Sequence, residues 1–408
     1  MKQFSNLRKC KTWQIFTLAY IFSSSLFPIS PVNAAVKAGA ACPKAGNTAI
    51  ASGKTFTCIQ SGKKLVWDKG VLIPKSATSP KTPELPPMPQ DFQNLASNLE
   101  GIKYWAWKKV NLEIEKNNSV LGQVEIFTGP NTVPAQPDTL DKLTIGSKLF
   151  GTFNQIKKIY IIKFNYQDIE WAQSKYQPFQ DQSWRSDYLT KAKNQCPDTR
   201  CRNAEIELNS KDEGIMMVGE IALSDQPKDK IENAGRYNGT REIHEYVHTI
   251  QMFNSSNSES RFNYNLLPRW MIEGQALWSA QAAVANSYDE YLELRNFDYP
   301  ELRQMRPSYT AEWIEEFLNP NPVFNKDTDN WLYWQKYPNY RVYDIGGLAN
   351  EILTSIKGPS AVMNLYVAVG KGSTFLDAFK QEFGINWNEA VPYISKAIAA
   401  ELDRMSKS

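Results

Sequence analysis

Histidine is what this sequence has least of: two residues among 408, at positions 244 and 248. An imidazole-only metal site is excluded, and no spare imidazole exists for a second site. Cysteine is scarce too, at five. Cys10 falls in the N-terminal stretch, which leaves Cys42, Cys58, Cys196 and Cys201. Neither sign of charge dominates. The 46 basic and 43 acidic residues give +3, and residues 1–34 hold four basic residues and no acid, so the remainder balances at 42 − 43 = −1. That gives no case for nucleic acid or an anionic membrane as partner. Beyond the N-terminal stretch, no apolar run reaches the roughly 20 residues of a membrane span.

The two histidines that are present stand together in Arg241-Glu242-Ile243-His244-Glu245-Tyr246-Val247-His248-Thr249, which contains H-E-x-x-H. Two histidines placed at random in this chain would fall four apart roughly 0.5% of the time, before a glutamate is required. On a helix, positions i and i+4 share a face, so His244 and His248 point at one metal ion. Glu245 lies beside them, where a carboxylate can take a proton from water. Two imidazoles leave a zinc site one protein ligand short, and the third must be a carboxylate or a thiolate. Glu273 follows 25 positions after His248, within Pro268-Arg269-Trp270-Met271-Ile272-Glu273-Gly274-Gln275-Ala276-Leu277-Trp278, a segment that reads as a second helix.

With these residues the sequence resembles the gluzincins, zinc metallopeptidases with an H-E-x-x-H helix and a glutamate ligand on the next helix. The W-x-x-E-G-x-A form is similar to the branch of aminopeptidase-N-like and leukotriene-hydrolase-like enzymes. The resemblance implies one zinc ion per chain on His244, His248 and Glu273, with Glu245 as general base. It also implies a zincin-type α+β catalytic domain: a mixed sheet with an edge strand, a metal-binding helix pair and a helical C-terminal cap. That branch carries Y-x-x-G after the glutamate, and its tyrosine hydroxyl supports the oxyanion. Tyr343 matches in Tyr340-Arg341-Val342-Tyr343-Asp344-Ile345-Gly346-Gly347, with Tyr340 as substitute. The thermolysin branch has an aspartate four residues after the glutamate ligand. Leu277 stands there, so no supporting carboxylate is assigned. Aminopeptidases of the matched branch carry G-x-M-E-N before the metal helix, and its glutamate binds the substrate amine. Gly214-Ile215-Met216-Met217-Val218, taken as the edge strand, lacks that glutamate, which favours an endopeptidase. A non-catalytic cell-surface or cell-wall binding protein with a structural zinc, and a zinc hydrolase of a non-peptide substrate, stay open as alternatives.

The rest of the chain sets an export context. Basic residues, an apolar run from Trp13 to about Phe27, and Val32-Asn33-Ala34-Ala35 read as a signal peptide over 1–34 cleaved after Ala34. The expected location is secreted or cell-surface, with no membrane span in the mature chain. The four remaining cysteines then read as two bridges, Cys42–Cys58 and Cys196–Cys201. Residues 36–71 read as a small disulfide-linked β module with a hairpin around Ser61-Gly62-Lys63. The module resembles short cysteine modules of exported actinobacterial proteins. Its lysines and Trp67 are candidates for weak contact with cell-wall polymer, against the simpler reading of a solvated basic face. Residues 72–90, rich in proline, read as an extended linker. The metallopeptidase domain then spans 91–408, with a peptide or protein substrate. Asn325, Asp327 and Asp329 have calcium-loop spacing, but Asn330 replaces the turn glycine and Lys336 the closing glutamate.

Overall fold

The computed structural model describes residues 36–72, 85–179, 191–257, 266–297, 309–319 and 341–407. The expected signal peptide, Tyr340 and the calcium-type spacing at 325–336 lie outside these residues. The chain divides into two compact units, Met1–Glu84 and Leu85–Ser408.

In the first unit, β1 (Thr48–Ala51), β2 (Lys54–Ser61), β3 (Lys64–Trp67) and β4 (Val71–Leu72) form an antiparallel sheet around β2. The β2–β3 hairpin turns at Gly62, whose φ of +62° favours glycine. Among the described residues its buried core is Phe56, Cys58 and Trp67, and the Cys42–Cys58 bridge ties the N-terminal segment to β2. So small a core needs that covalent link.

The second unit is α+β. Its helices are α1 (Leu99–Lys116), α2 (Thr139–Leu149), α3 (Ile169–Tyr176), α4 (Lys191–Gln195), α5 (Gln226–Glu232), α6 (Gly235–Asn238), α7 (Thr240–Ser255), α8 (Arg269–Val284), α9 (Tyr288–Phe297), α10 (Ala311–Leu318), α11 (Arg341–Lys357), α12 (Pro359–Gly370), α13 (Phe375–Phe383) and α14 (Trp387–Lys407). Its strands are β5 (Gln123–Thr128), β6 (Lys158–Phe164), β7 (Ala204–Leu208) and β8 (Gly214–Gly219). They form a mixed sheet in the order β5-β6-β8-β7, with β7 antiparallel to its neighbour. The Cys196–Cys201 bridge closes the turn between α4 and β7.

One expectation is corrected by the sheet order. The run Gly214–Val218 is not the edge strand. It is β8, buried throughout between β6 and β7. Its unbroken Ile-Met-Met-Val is the pattern of a strand covered on both faces. The edge on that side of the sheet is β7, whose Ala-Glu-Ile-Glu-Leu alternates in the manner of a half-covered strand. Pro86 and Pro87, within the expected linker, lie in the second unit, where their carbonyls accept from Trp105 Nε1 and Asn98 Nδ2 at 2.8 Å each.

One large core joins α7, α8, α11, α12 and α14. On α7, Ile243, Tyr246, Val247 and Ile250 follow i, i+3, i+4, i+7 spacing and are fully buried. Among the described residues, no single helix is long and apolar enough to cross a membrane.

Candidate metal centre

Helix α7 starts from Gly239, whose φ of +96° is a left-handed conformation that side chains resist. The Asn238 side chain accepts from the Thr240 N–H at 2.9 Å at this start. The first turn is then fixed by buried charge. Lys163 Nζ on β6 reaches Glu242 at 2.9 Å and Glu220 at 3.5 Å. Arg241 pairs with Glu220 at 3.1 Å and donates to the Gly219 carbonyl at 2.7 Å. Burial alone would raise the Glu242 carboxyl, but Arg241 and Lys163 prevail and hold it below its ordinary value. Breaking such a buried set is costly, on the order of 3–5 kcal/mol. It ties the sheet to the turn preceding His244.

One turn on, His244 Nε2 and His248 Nε2 face each other at 3.0 Å. From α8, Glu273 Oε2 approaches the two nitrogens at 3.5 and 3.3 Å. The three residues form a group that could hold a metal ion. With bonds near 2.05 Å, two ligand atoms of a tetrahedral site stand roughly 3.3 Å apart. The three observed edges bracket that value, so the residues fit such an ion. The protonation pattern agrees. His248 Nδ1 lies 2.8 Å from Gln251 Oε1. The Gln251 amide is oriented because its Nε2 donates to the Ile272 carbonyl at 3.0 Å and to Gln275 Oε1 at 2.9 Å. Gln251 Oε1 must therefore accept and His248 Nδ1 carries a proton, so that in the neutral imidazole it is Nε2 that presents a lone pair.

Glu273 is 4% exposed. Burial alone would raise its carboxyl, yet His248 and Arg269 hold it well below the usual range. It is therefore an anion, as a ligand must be. Burial likewise works to lower the His248 imidazole, and Glu273 reverses this and raises it. Glu245, 7% exposed, is pushed up by burial against the pull of His244 and His248. A carboxyl moved up from its ordinary value lies closer to a general base's working range.

Tyr343 stands in the first turn of α11, its ring 6.0 Å from that of His244. Burial, with the Glu273 charge, raises its phenol and keeps it protonated. The distance between α8 and α11 is set by glycines. A Cβ on Gly274 would lie 2.2 Å from the Gly346 carbonyl carbon, and one on Gly346 would lie 2.3 Å from the Trp270 carbonyl oxygen. The glycine after Glu273 and the glycine of Tyr343-x-x-Gly346 thus meet, and their contact brings ligand and tyrosine together.

The site opens into a cleft of about 560 Å³, lined by Asn203, Ala204, Glu205, His244, Glu245 and Tyr343 among others. The edge strand β7 therefore runs along one wall. All five sequence-predicted residues gather here. Two were missed: Gln251, three positions after His248, and Arg269, four before Glu273 and 2.5 Å from its Oε1. Helical spacing to a ligand was the available signal for both.

No family model, no curated protein and no solved structure matches this chain.

Proposed function

We propose that this chain is a secreted zinc-dependent peptidase, with His244, His248 and Glu273 as ligands and Glu245 as general base. The observation that carries the reading is the joining of three ligand atoms at tetrahedral spacing with a buried carboxylate, beside an open cleft. A set of two imidazoles and one carboxylate is typical of catalytic zinc, which keeps a position for water. Zinc, when bound, supplies Lewis-acid polarisation of water and of a peptide carbonyl.

The protein's own groups do the rest. Glu245 accepts the proton of the attacking water and delivers it to the departing amide nitrogen. Tyr343, on the cleft wall, offers its hydroxyl to the developing oxyanion, which a protonated phenol can do without competing as a ligand. The backbone of β7 offers an extended peptide an antiparallel partner along the cleft wall. A purely structural metal site would have no use for Glu245.

The cleft also bears on the kind of cleavage. Among the described residues that line it, the one acid besides Glu245 is Glu205. Glu205 is already bound by Lys191 and by Gln195 Nε2 at 3.0 Å. It is therefore a poor anchor for a substrate amine, which supports an endopeptidase over an aminopeptidase. Two disulfides accord with export to an oxidising compartment.

The test is digestion of a peptide library by the purified protein and by Glu245→Gln. Wild type should cleave internal bonds, and the variant should keep its metal and lose about 10²–10⁴ in rate. Equal cleavage by both proteins contradicts the mechanism. No cleavage by zinc-loaded wild type, across peptide and protein substrates, contradicts the peptidase reading.

A further inference from the structure

The two oxygens of Glu273 are used differently. Oε2 faces the imidazole nitrogens, at 3.3 Å from His248 and 3.5 Å from His244. Oε1 is held by Arg269 Nη2 at 2.5 Å. Both residues lie on α8, one turn apart, so the helix itself fixes the pairing. The Glu273 side chain is 6% exposed and that of Arg269 29%. A charge-assisted bond to a buried carboxylate is short and strong. Withdrawing Oε1 from it would leave charge uncompensated in the interior.

We propose that Arg269 is a positioning residue that keeps Glu273 a one-oxygen ligand. This rests on the metal reading above and adds the control of coordination number. A carboxylate beside a divalent cation has two ways to bind, through one oxygen or through both. With both oxygens engaged, Glu273 would fill the position that a catalytic site keeps for water. With Oε1 held by the guanidinium, only Oε2 faces the histidines. The two supports of the site are then parallel in kind: Gln251 orients a ligand imidazole, and Arg269 orients a ligand carboxylate. The side chain must reach its own Glu273 four residues on, which arginine and lysine do and glutamine and methionine cannot replace with charge.

The test uses the full mature chain loaded with Co²⁺, whose visible absorption is intense in four-coordinate sites and weaker in five-coordinate ones. Wild type, Arg269→Lys, Arg269→Gln and Arg269→Met are compared, with far-ultraviolet circular dichroism as the check on folding. Wild type should show the intense spectrum. Arg269→Met and Arg269→Gln should bind Co²⁺ with several-fold weaker absorption, and Arg269→Lys should return toward wild type. Wild-type spectra in both the Met and the Gln variant overturn the proposal, and a rise in KM alone with that spectrum assigns Arg269 to substrate instead. Loss of all Co²⁺ binding in a folded Gln or Met variant also overturns it, because Arg269 would then be needed for ligation itself. If wild type binds neither Co²⁺ nor Zn²⁺, it is the metal reading that fails.

Discussion

Replacing Gly274 by alanine tests how the site is assembled. The new Cβ would stand 2.2 Å from the Gly346 carbonyl carbon, 2.5 Å from its oxygen and 2.6 Å from Gly347 N. Ordinary contact begins at 3.4 Å, so α8 and α11 must part by 3.4 − 2.2, or about 1.2 Å. The obstacle is backbone, which cannot rotate aside as a side chain can. Such overpacking costs about 1–3 kcal/mol, and more where relief is blocked. Alanine also favours a helix over glycine by about 1 kcal/mol, which offsets part of the loss. Gly146→Ala on α2 is the control. It has the same propensity gain, but its nearest neighbours are side-chain atoms of Tyr246 and Ile243, at 3.2 and 3.3 Å. The difference between the variants isolates the helix crossing. In urea unfolding, Gly274→Ala should be less stable than Gly146→Ala by about 2 kcal/mol. It should also lose activity, since Tyr343 is drawn away from Glu273. A Gly274→Ala protein as stable as the control refutes the claim that this contact sets the helix spacing.

Two further outcomes follow from the site and the core. Tyr343→Phe should lower kcat by about 10²–10³ with metal content and KM little changed, the pattern of a contact made in the transition state; steady-state kinetics and elemental analysis check it. In the core, Arg295 pairs with Glu351 at 2.8 Å and Glu401 at 2.7 Å. Burial alone would raise the Glu401 carboxyl, but Arg295 and Lys103 hold it below the ordinary carboxylate range. A lowered folded pKa contributes stability that is full above the unfolded value and is lost as pH falls through the folded value. Stability should therefore fall on acidification below about pH 4.3. Arg295→Met should cost about 3–5 kcal/mol near neutrality and show a shallower acid loss in pH-dependent denaturation.

The candidate metal-site residues were legible because helical periodicity is local. His244 and His248 at i and i+4 needed only a helix, and α7 supplies one. The edge strand was misread because edge position is a property of pairing. The alternation in Ala204–Leu208 and the unbroken apolar run in β8 carried the distinction, whereas the family resemblance implied the wrong run. Gln251 and Arg269 were passed over because a polar residue on a helix is usually solvated; only the packing of α7 on α8 turns them toward His248 and Glu273. Helix α2 was missed as well, since Gly146 and Thr144 weaken its local signal, while its burial against Tyr246 and Ile243 of α7 is tertiary.

The central claim is that His244, His248 and Glu273 hold zinc. Elemental analysis of protein purified without added metal, alongside His248→Ala and Glu273→Ala, tests it most directly. Near one equivalent of zinc in wild type and a large loss in both variants is the predicted result. Wild type that holds no zinc and gains none on dialysis against it, or variants that hold as much as wild type, would contradict the account.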